Sequence, residues 1–358
     1  MGTVDSSESY ISERTWPTPT RRDFTITNFV FGTGETLSEL HLHYQTLGVL
    51  QKKASRDGRA TTNAVLIMHG TGGSSDNFLN DSFAGELFSA GQLLDASRYF
   101  IILRDGIGHG RSSKPSSTGL HALFPRYTYD DMVRADYQLL TEHLGVEHLR
   151  LALGTSMGGM HVWLFGTTYP DFATALMPLA SLPAPIAGRN RMWRKIIVDA
   201  IRADPKYRDG EYADDDPPLT GLKAAASMMT LMVSAPLYLQ REAPTREAAD
   251  RLLEEQIATR MQAMDANDLV YALEASRGYD PRPGLHRIAA PLIAVNSADD
   301  QINPPELEIL EREMEKGMQH GLGKAVVLPI SEDTRGHSSH TIAKLWKGYL
   351  TELLDKTT

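Results

Sequence analysis

The sequence of 358 residues contains no cysteine. Disulfide bonds, thiolate nucleophiles and cysteine-ligated zinc are therefore excluded, and the lack of cysteine is typical of a protein from a reducing compartment. Residues 1–8 also lack the basic stretch and the apolar core of a secretory signal. These two absences lead us to expect a cytoplasmic protein.

Long hydrophobic runs are also missing, because no stretch approaches the roughly 18 apolar residues that are needed to span a bilayer. We therefore expect no membrane association. The formal net charge is -9, whereas a nucleic-acid-binding protein needs a concentrated basic face, so we expect no nucleic-acid partner. The apolar content of 41% suffices for one enzyme-sized core with an insertion.

Short apolar segments with strand character alternate with helical stretches along most of the chain. This alternation is typical of the α/β class, with a mostly parallel central sheet and helices on both faces. The turn at 104–112 lacks the glycine spacing of a dinucleotide loop and no helix opens behind it, so we expect no NAD. We expect no other cofactor either. Two early strands are predicted at about 23–31 and 39–48, and the strands that alternate with helices at 65–69, 99–103, 149–153, 175–180, 292–296 and 326–328.

A long segment without strand character separates the predicted strand that ends near Ser181 from the one that begins near Pro291. A crossover connection usually needs only one helix, so this segment predicts an inserted helical cap. Such a cap would cover a site at the sheet edge and exclude water from it. The predicted organisation is a first core part at 1–182, the cap at 183–285 and a second core part at 286–358.

The most informative motif is Gly-Thr-Ser-Met-Gly at 154–158, which follows an apolar strand and leads into a helix. This order is typical of a nucleophile elbow, a strand-to-helix turn that holds a serine in a strained backbone conformation. Glycines two residues either side are needed because larger side chains would collide with neighbouring elements. We therefore predict that Ser156 is a catalytic nucleophile.

A nucleophilic serine requires a histidine that takes its proton and an acid that orients the histidine. In folds with such an elbow the acid follows a late strand and the histidine follows the last one. Asp299 and Asp300 both follow the strand at 292–296, and we favour Asp300 because it precedes Pro304 by four residues. His337 follows the strand at 324–330 and is the predicted base.

The segment His69-Gly70-Thr71-Gly72-Gly73 follows another apolar strand. It is similar to the loop that donates one backbone N–H to the oxyanion hole in folds of this kind. We predict the backbone N–H groups of Thr71 and Met157 as the two oxyanion donors.

Three further histidines, His41, His43 and His340, have spacings that could suit a metal ligand or a helix cap. His41 and His43 share one face of an early strand, but no cysteine or acidic cluster completes a metal site, so we expect no metal. His340 lies three residues after His337, at the start of the last predicted helix. We expect it to cap that helix or face solvent.

Three methionines recur at helical spacing within the predicted cap. They either line an adaptable substrate pocket or only pack the cap. The candidate pocket residues are His69, Gly70, Met228, Met229 and Met232.

A basic cluster lies at the start of the predicted cap, at Arg189, Arg191, Arg194 and Lys195. These side chains could attract an anionic substrate. No glycine loop suited to a phosphate accompanies them, and we favour a solvated helix face.

From about His43 to Leu350 the chain resembles the homoserine O-acetyltransferase (MetX-like) family of the α/β-hydrolase superfamily. The resemblance implies the α/β-hydrolase fold and a homodimer that contacts through the cap. That family includes both acyltransferases and hydrolases of small esters. The motifs that carry the resemblance are LGTSMGGM at 153–160, YPD at 169–171, FPRYTYDDMV at 124–133, AIRADPKYRDGEY at 200–212 and PLTGL at 218–222.

Two departures from the family pattern favour hydrolysis. Acetyltransferases of this family usually carry Tyr-Arg-Ser in the cap, where this chain has Met-Met-Thr-Leu-Met-Val-Ser at 228–234. Loss of an arginine that pairs with the acceptor's carboxylate removes roughly 1.5 to 3 kcal/mol of acceptor binding. In addition, the segment at 69–73 looks more like the oxyanion loop of an esterase.

We therefore expect a serine hydrolase that cleaves a small carboxylic ester through an acyl-enzyme. Ser156 would attack the ester, His337 would accept and return its proton, and Asp300 would orient the imidazole. The alternative is an acyl-CoA-dependent O-acyltransferase, such as one that acetylates homoserine. Both reactions share the acyl-enzyme and differ only in the nucleophile that resolves it.

Overall fold

A computed structural model describes residues 15–54 and 60–357 of the chain. Its main sheet has eight strands in the order β1-β2-β6-β5-β7-β8-β9-β10, and β3 pairs with β4 in a separate ribbon. The strands are β1 (Thr20–Val30), β2 (Thr36–Leu47), β3 (Lys52–Ala54), β4 (Ala60–Thr62), β5 (Ala64–Met68), β6 (Phe100–Arg104), β7 (Leu151–Thr155), β8 (Leu176–Leu179), β9 (Leu292–Ser297) and β10 (Gly323–Leu328).

Six neighbouring strands of this sheet are parallel, namely β6, β5, β7, β8, β9 and β10, whereas β1 and β2 are antiparallel. The carboxyl ends of the parallel strands therefore meet at one edge of the sheet. The predicted mostly parallel α/β architecture is confirmed.

The helices are α1 (Pro115–Thr118), α2 (Tyr129–Gln138), α3 (Met157–Thr168), α4 (Gly188–Ala203), α5 (Leu219–Val233), α6 (Pro236–Glu242), α7 (Arg246–Met261), α8 (Ala266–Glu274), α9 (Ile309–Gly317) and α10 (Ala343–Asp355).

Both faces of the sheet are buried, as the alternation along β5 illustrates. Leu66 and Met68 pack into the core that includes α2 and α3, while Val65 and Ile67 pack into the opposite core with α10. All five residues of β5 are buried. A strand covered on both faces reads as a continuous apolar run, which explains why this strand is recognisable in the sequence.

Helices α4 to α8 lie between β8 and β9 in the chain, and we call them the cap. Residues 180–291 are all described and contain no strand. The cap has its own apolar cluster, in which Ile197 and Ile201 of α4 pack with Leu222 of α5 and Val270 of α8. The division of the chain into core and cap at 183 and 285 stays a prediction.

Within 15–54 and 60–357, no single helix has the length and apolar character to cross a membrane. One bent pair, α5 with α6, meets that test by length and composition, with an angle of 107° between its parts.

Candidate active site

Ser156 lies at the turn between β7 and α3 with φ 56° and ψ −112°. A non-glycine residue with positive φ is strained, and it persists only where the surroundings hold it. Here the surroundings are very tight: a Cβ on Gly154 would collide with the carbonyl oxygen of Gly158, and a Cβ on Gly158 would collide with that of Met68 in β5. The glycines thus allow α3 to lie directly against the sheet, and the turn presents the serine at the carboxyl edge.

The structure brings Ser156, His337 and Asp300 together from three separate parts of the chain. The Ser156 Oγ lies 2.7 Å from Nε2 of His337, and Nδ1 of His337 lies 2.8 Å from Oδ2 of Asp300. An ionised carboxylate can only accept, so Nδ1 carries the imidazole proton and donates it to Asp300. Nε2 is then free to accept the hydrogen of the Ser156 hydroxyl.

Asp300 is fully enclosed by donors. Its Oδ1 accepts the backbone N–H groups of Ile302 at 2.8 Å and of Asn303 at 3.2 Å, and the Asn303 side-chain amide donates to Oδ2 at 3.1 Å. Burial alone would raise the pKa of Asp300, but the charge of His337 and these hydrogen bonds outweigh it and leave the pKa below its ordinary value. The carboxylate therefore stays charged beside the imidazole.

Asp299, the alternative acid, points elsewhere. Its Oδ2 accepts the backbone N–H of Gly336 at 3.0 Å, and its Oδ1 accepts the hydroxyl of Ser297 at 2.6 Å. Asp299 thus ties the loop that carries His337 to the end of β9. The two neighbouring carboxylates act on the same segment in different ways: Asp300 contacts the His337 ring, and Asp299 binds the backbone of the preceding Gly336.

The predicted oxyanion donors flank the serine. Gly70 lies so close to Ser156 that a Cβ on it would be 3.3 Å from the Ser156 Cβ. Thr71 follows Gly70 and lines the cavity that opens over Ser156. Met157 is the first residue of α3, where a backbone N–H has no partner inside the helix. Within the part of the chain that the structure describes, neither the Thr71 nor the Met157 backbone N–H donates a hydrogen bond.

The His69 side chain points away from the cavity, so its assignment to the pocket is wrong. Its Nδ1–H donates to the Gly70 carbonyl at 2.8 Å, and its Nε2 accepts from Gly106 N–H at 3.0 Å and from Arg104 Nη1 at 3.2 Å. Burial, with the positive charge of Arg104, holds the pKa of His69 well below its ordinary value. The neutral ring therefore holds the loop that carries Thr71 through its hydrogen bond to the Gly70 carbonyl.

Arg104 is the centre of a buried polar cluster beneath that loop. It is 0% exposed and donates to Asp136 Oδ2 at 3.0 Å and to His161 Nδ1 at 2.7 Å as well as to His69. A buried guanidinium is tolerated because each of its nitrogens has an acceptor and one of these is a carboxylate. This cluster gave no signal in the sequence, because its members are distant in the chain.

A cavity of about 430 Å³ opens over the Ser156 and His337 side chains. Its size suits a small molecule. Three of the candidate pocket residues, Gly70, Met229 and Met232, line this cavity, whereas Met228 does not and packs against the apolar cluster of the cap.

His340 lines the same cavity, which corrects the expectation that it caps a helix or faces solvent. Its ring lies edge-on to that of His337, with 5.2 Å between the centroids, and its Nδ1 is buried without a hydrogen-bond partner. Burial lowers the pKa of His340 to about 3, and the charge of His337 acts in the same direction. The spacing of three residues between His337 and His340 could have predicted this position, because side chains three residues apart on a 3₁₀ turn lie on one face.

Arg194 also corrects the sequence analysis, which favoured a solvated face for the basic cluster at 189–195. It is 4% exposed and lines the cavity, whereas Lys195, one residue further along α4, is exposed and pairs with Asp199. Arg260 of α7 lines the cavity as well and was not singled out in the sequence. In the described residues, no group of three or more His, Asp or Glu side chains has the arrangement of a metal site.

This combination of a parallel sheet, a serine at a strained strand-to-helix turn and a helical cap defines an α/β hydrolase. Residues 63–311 match the family described as alpha/beta hydrolase fold. The match covers more than half of the chain, so the chain belongs to the α/β-hydrolase family.

Its relatives define the group within that family. A homoserine O-acetyltransferase of Haemophilus influenzae (strain 86-028NP) is 30% identical over 303 residues, which are 76% of this chain and 81% of the relative. Another, from Chlorobium luteolum, is 38% identical over 206 residues, which are 54% of this chain and 53% of the relative. The chain thus spans about half the length of the second relative. The chain is a MetX-like α/β hydrolase, which confirms the resemblance found in its motifs.

Among solved structures, the acetyl esterase MekB is similar over nearly the whole chain. The two share 25% sequence identity with a TM-score of 0.79, and the alignment covers 94% of this chain and 97% of that chain. The relatives therefore include both acyltransferases and an esterase.

Proposed function

We propose that the chain is a serine hydrolase that cleaves small carboxylic esters through an acyl-enzyme. The observation that carries this proposal is the hydrogen-bonded series from Ser156 Oγ to His337 at 2.7 Å and from His337 to Asp300 at 2.8 Å. Its similarity to the acetyl esterase MekB supports the same reaction.

In the first half of the reaction, Ser156 Oγ attacks the ester carbonyl while His337 Nε2 takes its proton. The buried negative charge of Asp300 stabilises the resulting imidazolium. The N–H groups of Thr71 and Met157 donate to the carbonyl oxygen as it becomes negative, and each donor contributes about 3 kcal/mol to the transition state. His337 then returns the proton to the leaving alcohol.

In the second half, His337 Nε2 removes a proton from water, which attacks the acyl group on Ser156. The tetrahedral intermediate collapses, the carboxylic acid leaves, and the proton returns to Ser156 Oγ. Met229 and Met232 line the cavity and belong to the segment 228–234, which replaces the Tyr-Arg-Ser expected of acetyltransferases in this family. This replacement supports water as the acceptor.

Replacement of Ser156 by alanine tests the proposal. The Ser156→Ala protein should lose the hydrolysis of 4-nitrophenyl acetate by at least roughly a thousandfold, because no other described group lies at the attack position. Ser227→Ala is the matched control, since the Ser227 hydroxyl only donates to the Lys223 carbonyl within α5. Undiminished hydrolysis by pure Ser156→Ala protein would reject the proposal.

Acyl transfer is the second candidate, and the 30% identity to a homoserine O-acetyltransferase favours it. The same acyl-enzyme would form from acetyl-CoA, and an alcohol in place of water would resolve it. Incubation with acetyl-CoA, with and without homoserine, separates the two reactions. CoA release that depends on homoserine would favour transfer, and release without an acceptor would favour hydrolysis.

The proposal also includes the assembly and the location that the sequence analysis expects. Two copies would pair through the cap helices, as the resemblance implies, and the chain would work in the cytoplasm. Sedimentation velocity tests the assembly, and a single species with the mass of one chain would contradict it.

A further inference from the structure

Two arginine side chains from different cap helices line the cavity over Ser156. Arg194 comes from α4 and Arg260 from α7. The sequence offered Arg194 as a group that could attract an anion but favoured a solvated face, and it did not single out Arg260, because helical spacing alone does not reveal which face of a cap helix is directed at the sheet edge. These two side chains add positive charge to the wall of the cavity.

Neither guanidinium has a carboxylate partner. Arg194 donates from Nε to Asn190 Oδ1 at 3.0 Å and from Nη1 to Ser276 Oγ at 3.3 Å. Arg260 donates from Nε to Thr230 Oγ1 at 3.0 Å. All of these acceptors are neutral. In 15–54 and 60–357, no Asp or Glu oxygen lies within 4.0 Å of either group, whereas the neighbouring Arg191 pairs with Glu274 at 3.4 Å.

The remaining cavity wall does not compensate these charges. Its described lining includes no Asp or Glu, and consists of apolar side chains such as Ile197 and Leu273 and of neutral polar ones such as Asn303. Arginine stays protonated in proteins, so the cavity is positively charged. Burial lowers the pKa of Arg260, as expected for a cation without a counterion. A buried charge without a partner is unfavourable, and a ligand of opposite charge removes that cost.

The contrast with Arg104 shows what a purely structural arginine looks like in this protein. Arg104 is fully buried, and its nitrogens contact Asp136, His69 and His161. Arg194 and Arg260 instead leave N–H groups without an acceptor in the described chain: Nη2 of Arg194 and both Nη atoms of Arg260. These N–H groups can form the paired hydrogen bonds that guanidinium makes with a carboxylate.

We propose that Arg194 and Arg260 bind a carboxylate of the substrate, so that the substrate is a small ester that also carries a carboxylate. This inference rests on the proposed ester hydrolysis and names its substrate class. A monoester of a dicarboxylic acid and an O-acetyl hydroxy acid both fit this description. A cavity of about 430 Å³ accommodates either molecule.

The first test compares charged and neutral esters of nearly equal size on the wild-type chain. Monomethyl glutarate against dimethyl glutarate varies the charge on the acyl side, and 3-acetoxypropanoate against 3-acetoxypropanamide varies it on the alcohol side. In at least one pair, kcat/KM should be roughly ten- to a hundredfold higher for the carboxylate. A preference for the neutral ester in both pairs overturns the inference.

The second test follows that preference in variants. Arg194→Gln and Arg260→Gln should each reduce the ratio of kcat/KM for the charged ester to that for the neutral one by roughly tenfold or more, mainly through KM. Lys195→Gln is the matched control, because it removes one positive charge from α4 on the exposed side. The ratio should persist in Lys195→Gln. A ratio that persists in both arginine variants overturns the inference.

A binding measurement separates this inference from the proposed hydrolysis. Calorimetry on Ser156→Ala protein with monomethyl and dimethyl glutarate reports on the charge preference without turnover. If the monoester binds more tightly than the diester, and if adding Arg194→Gln removes this difference, the inference is supported even when the wild-type chain hydrolyses no ester. Equal binding of the two esters overturns the inference. If the wild-type chain hydrolyses 4-nitrophenyl acetate through Ser156 without any charge preference, the hydrolysis stands and the inference fails.

A phosphate of CoA is another anion that two arginines could contact. Acetyl-CoA turnover in the same variants tests this source. Turnover that depends on Arg194 and Arg260, together with no carboxylate preference in either ester pair, would overturn the inference in favour of a phosphate.

Discussion

At the scale of single residues, two adjacent carboxylates at the end of β9 have separate contacts with the segment of His337. Asp300 contacts the imidazole at 2.8 Å, and Asp299 accepts the backbone N–H of Gly336 at 3.0 Å. An acid that fixes the imidazole tautomer and stabilises its cation affects the chemical step directly. An acid that holds the loop affects the position of the ring and the stability of the loop.

Asp300→Asn should therefore reduce kcat for 4-nitrophenyl acetate by roughly four orders of magnitude, because the amide can favour the wrong imidazole tautomer. Asp299→Asn should reduce kcat far less, since its carbonyl oxygen can still accept from Gly336. Steady-state kinetics on both variants check this difference. Similar losses in the two variants, or a larger loss in Asp299→Asn, would contradict the assignment of Asp300.

The residue scale also shows what sequence reasoning could reach at the site. Ser156 and His337 were predictable because each follows a strand within a short local pattern. The positions of Arg194 and Arg260 in the cavity wall were not predictable, because the direction of a cap side chain depends on how the cap packs on the sheet. The direction of the His69 ring was not predictable, because a side chain at a strand end can point into the cavity or toward the interior. Here the hydrogen bond from the buried Arg104 guanidinium holds the ring in the interior.

At the scale of elements, the site depends on the close approach of α3 to β5. Gly158 in the first turn of α3 contacts the carbonyl of Met68 so closely that no Cβ fits. Backbone atoms cannot move aside as a flexible side chain would. The strained turn at Ser156 and the packing of α3 are therefore two aspects of the same contact.

Gly158→Ala should destabilise the protein by about 1 to 3 kcal/mol, because α3 or β5 must shift to admit the methyl group. Gly348→Ala is the matched control on α10, where a Cβ would meet no atom within 4 Å. That change should be neutral or stabilise by up to about 1 kcal/mol, since alanine favours the helix. Urea unfolding measures both, and an unchanged midpoint in Gly158→Ala would contradict the packing described.

The elements themselves were predictable to different degrees. The parallel strands were recognisable because strands covered on both faces are short continuous apolar runs, as in β5. The cap was predictable as a long helical insertion, since residues 180–291 show no strand pattern. The arrangement of its five helices over the sheet was not, because it depends on contacts between side chains far apart in the chain.

At the scale of the whole molecule, several histidines are buried in their neutral form. Burial is the main cause that lowers the pKa of His69, His109, His161 and His340 in the folded chain, to about 4 for His109 and about 3 for His340. Burial also raises the pKa of Asp136, against the effect of Arg104, to about 6. These five groups bind protons differently in the folded and unfolded chain.

Their combined effect makes stability fall as the pH is lowered from about 6.5 to 5. Over that range the unfolded chain protonates four histidines that the folded chain keeps neutral, whereas the folded chain protonates Asp136 before the unfolded chain does. The net difference is about three protons, and each contributes about 1.4 kcal/mol per pH unit. The free energy of unfolding should thus decrease by roughly 3 to 4 kcal/mol from pH 6 to pH 5.

Urea unfolding followed by tryptophan fluorescence at pH 7, 6 and 5 measures this dependence. His340→Gln should reduce the slope of the free energy of unfolding against pH by the equivalent of about one proton, because it removes one of the four histidines. A stability that stays constant or rises between pH 6 and pH 5 would show that these histidines are not buried as neutral rings.

The proposed reaction requires a covalent bond between Ser156 Oγ and the acyl group of a substrate. Rapid mixing with 4-nitrophenyl acetate, acid quench and peptide mass spectrometry measure that bond directly. We predict an acetyl group on the peptide that contains Ser156, present early and gone once the ester is consumed. Turnover of the ester without this acetyl group, or with the group on another residue, would contradict the account.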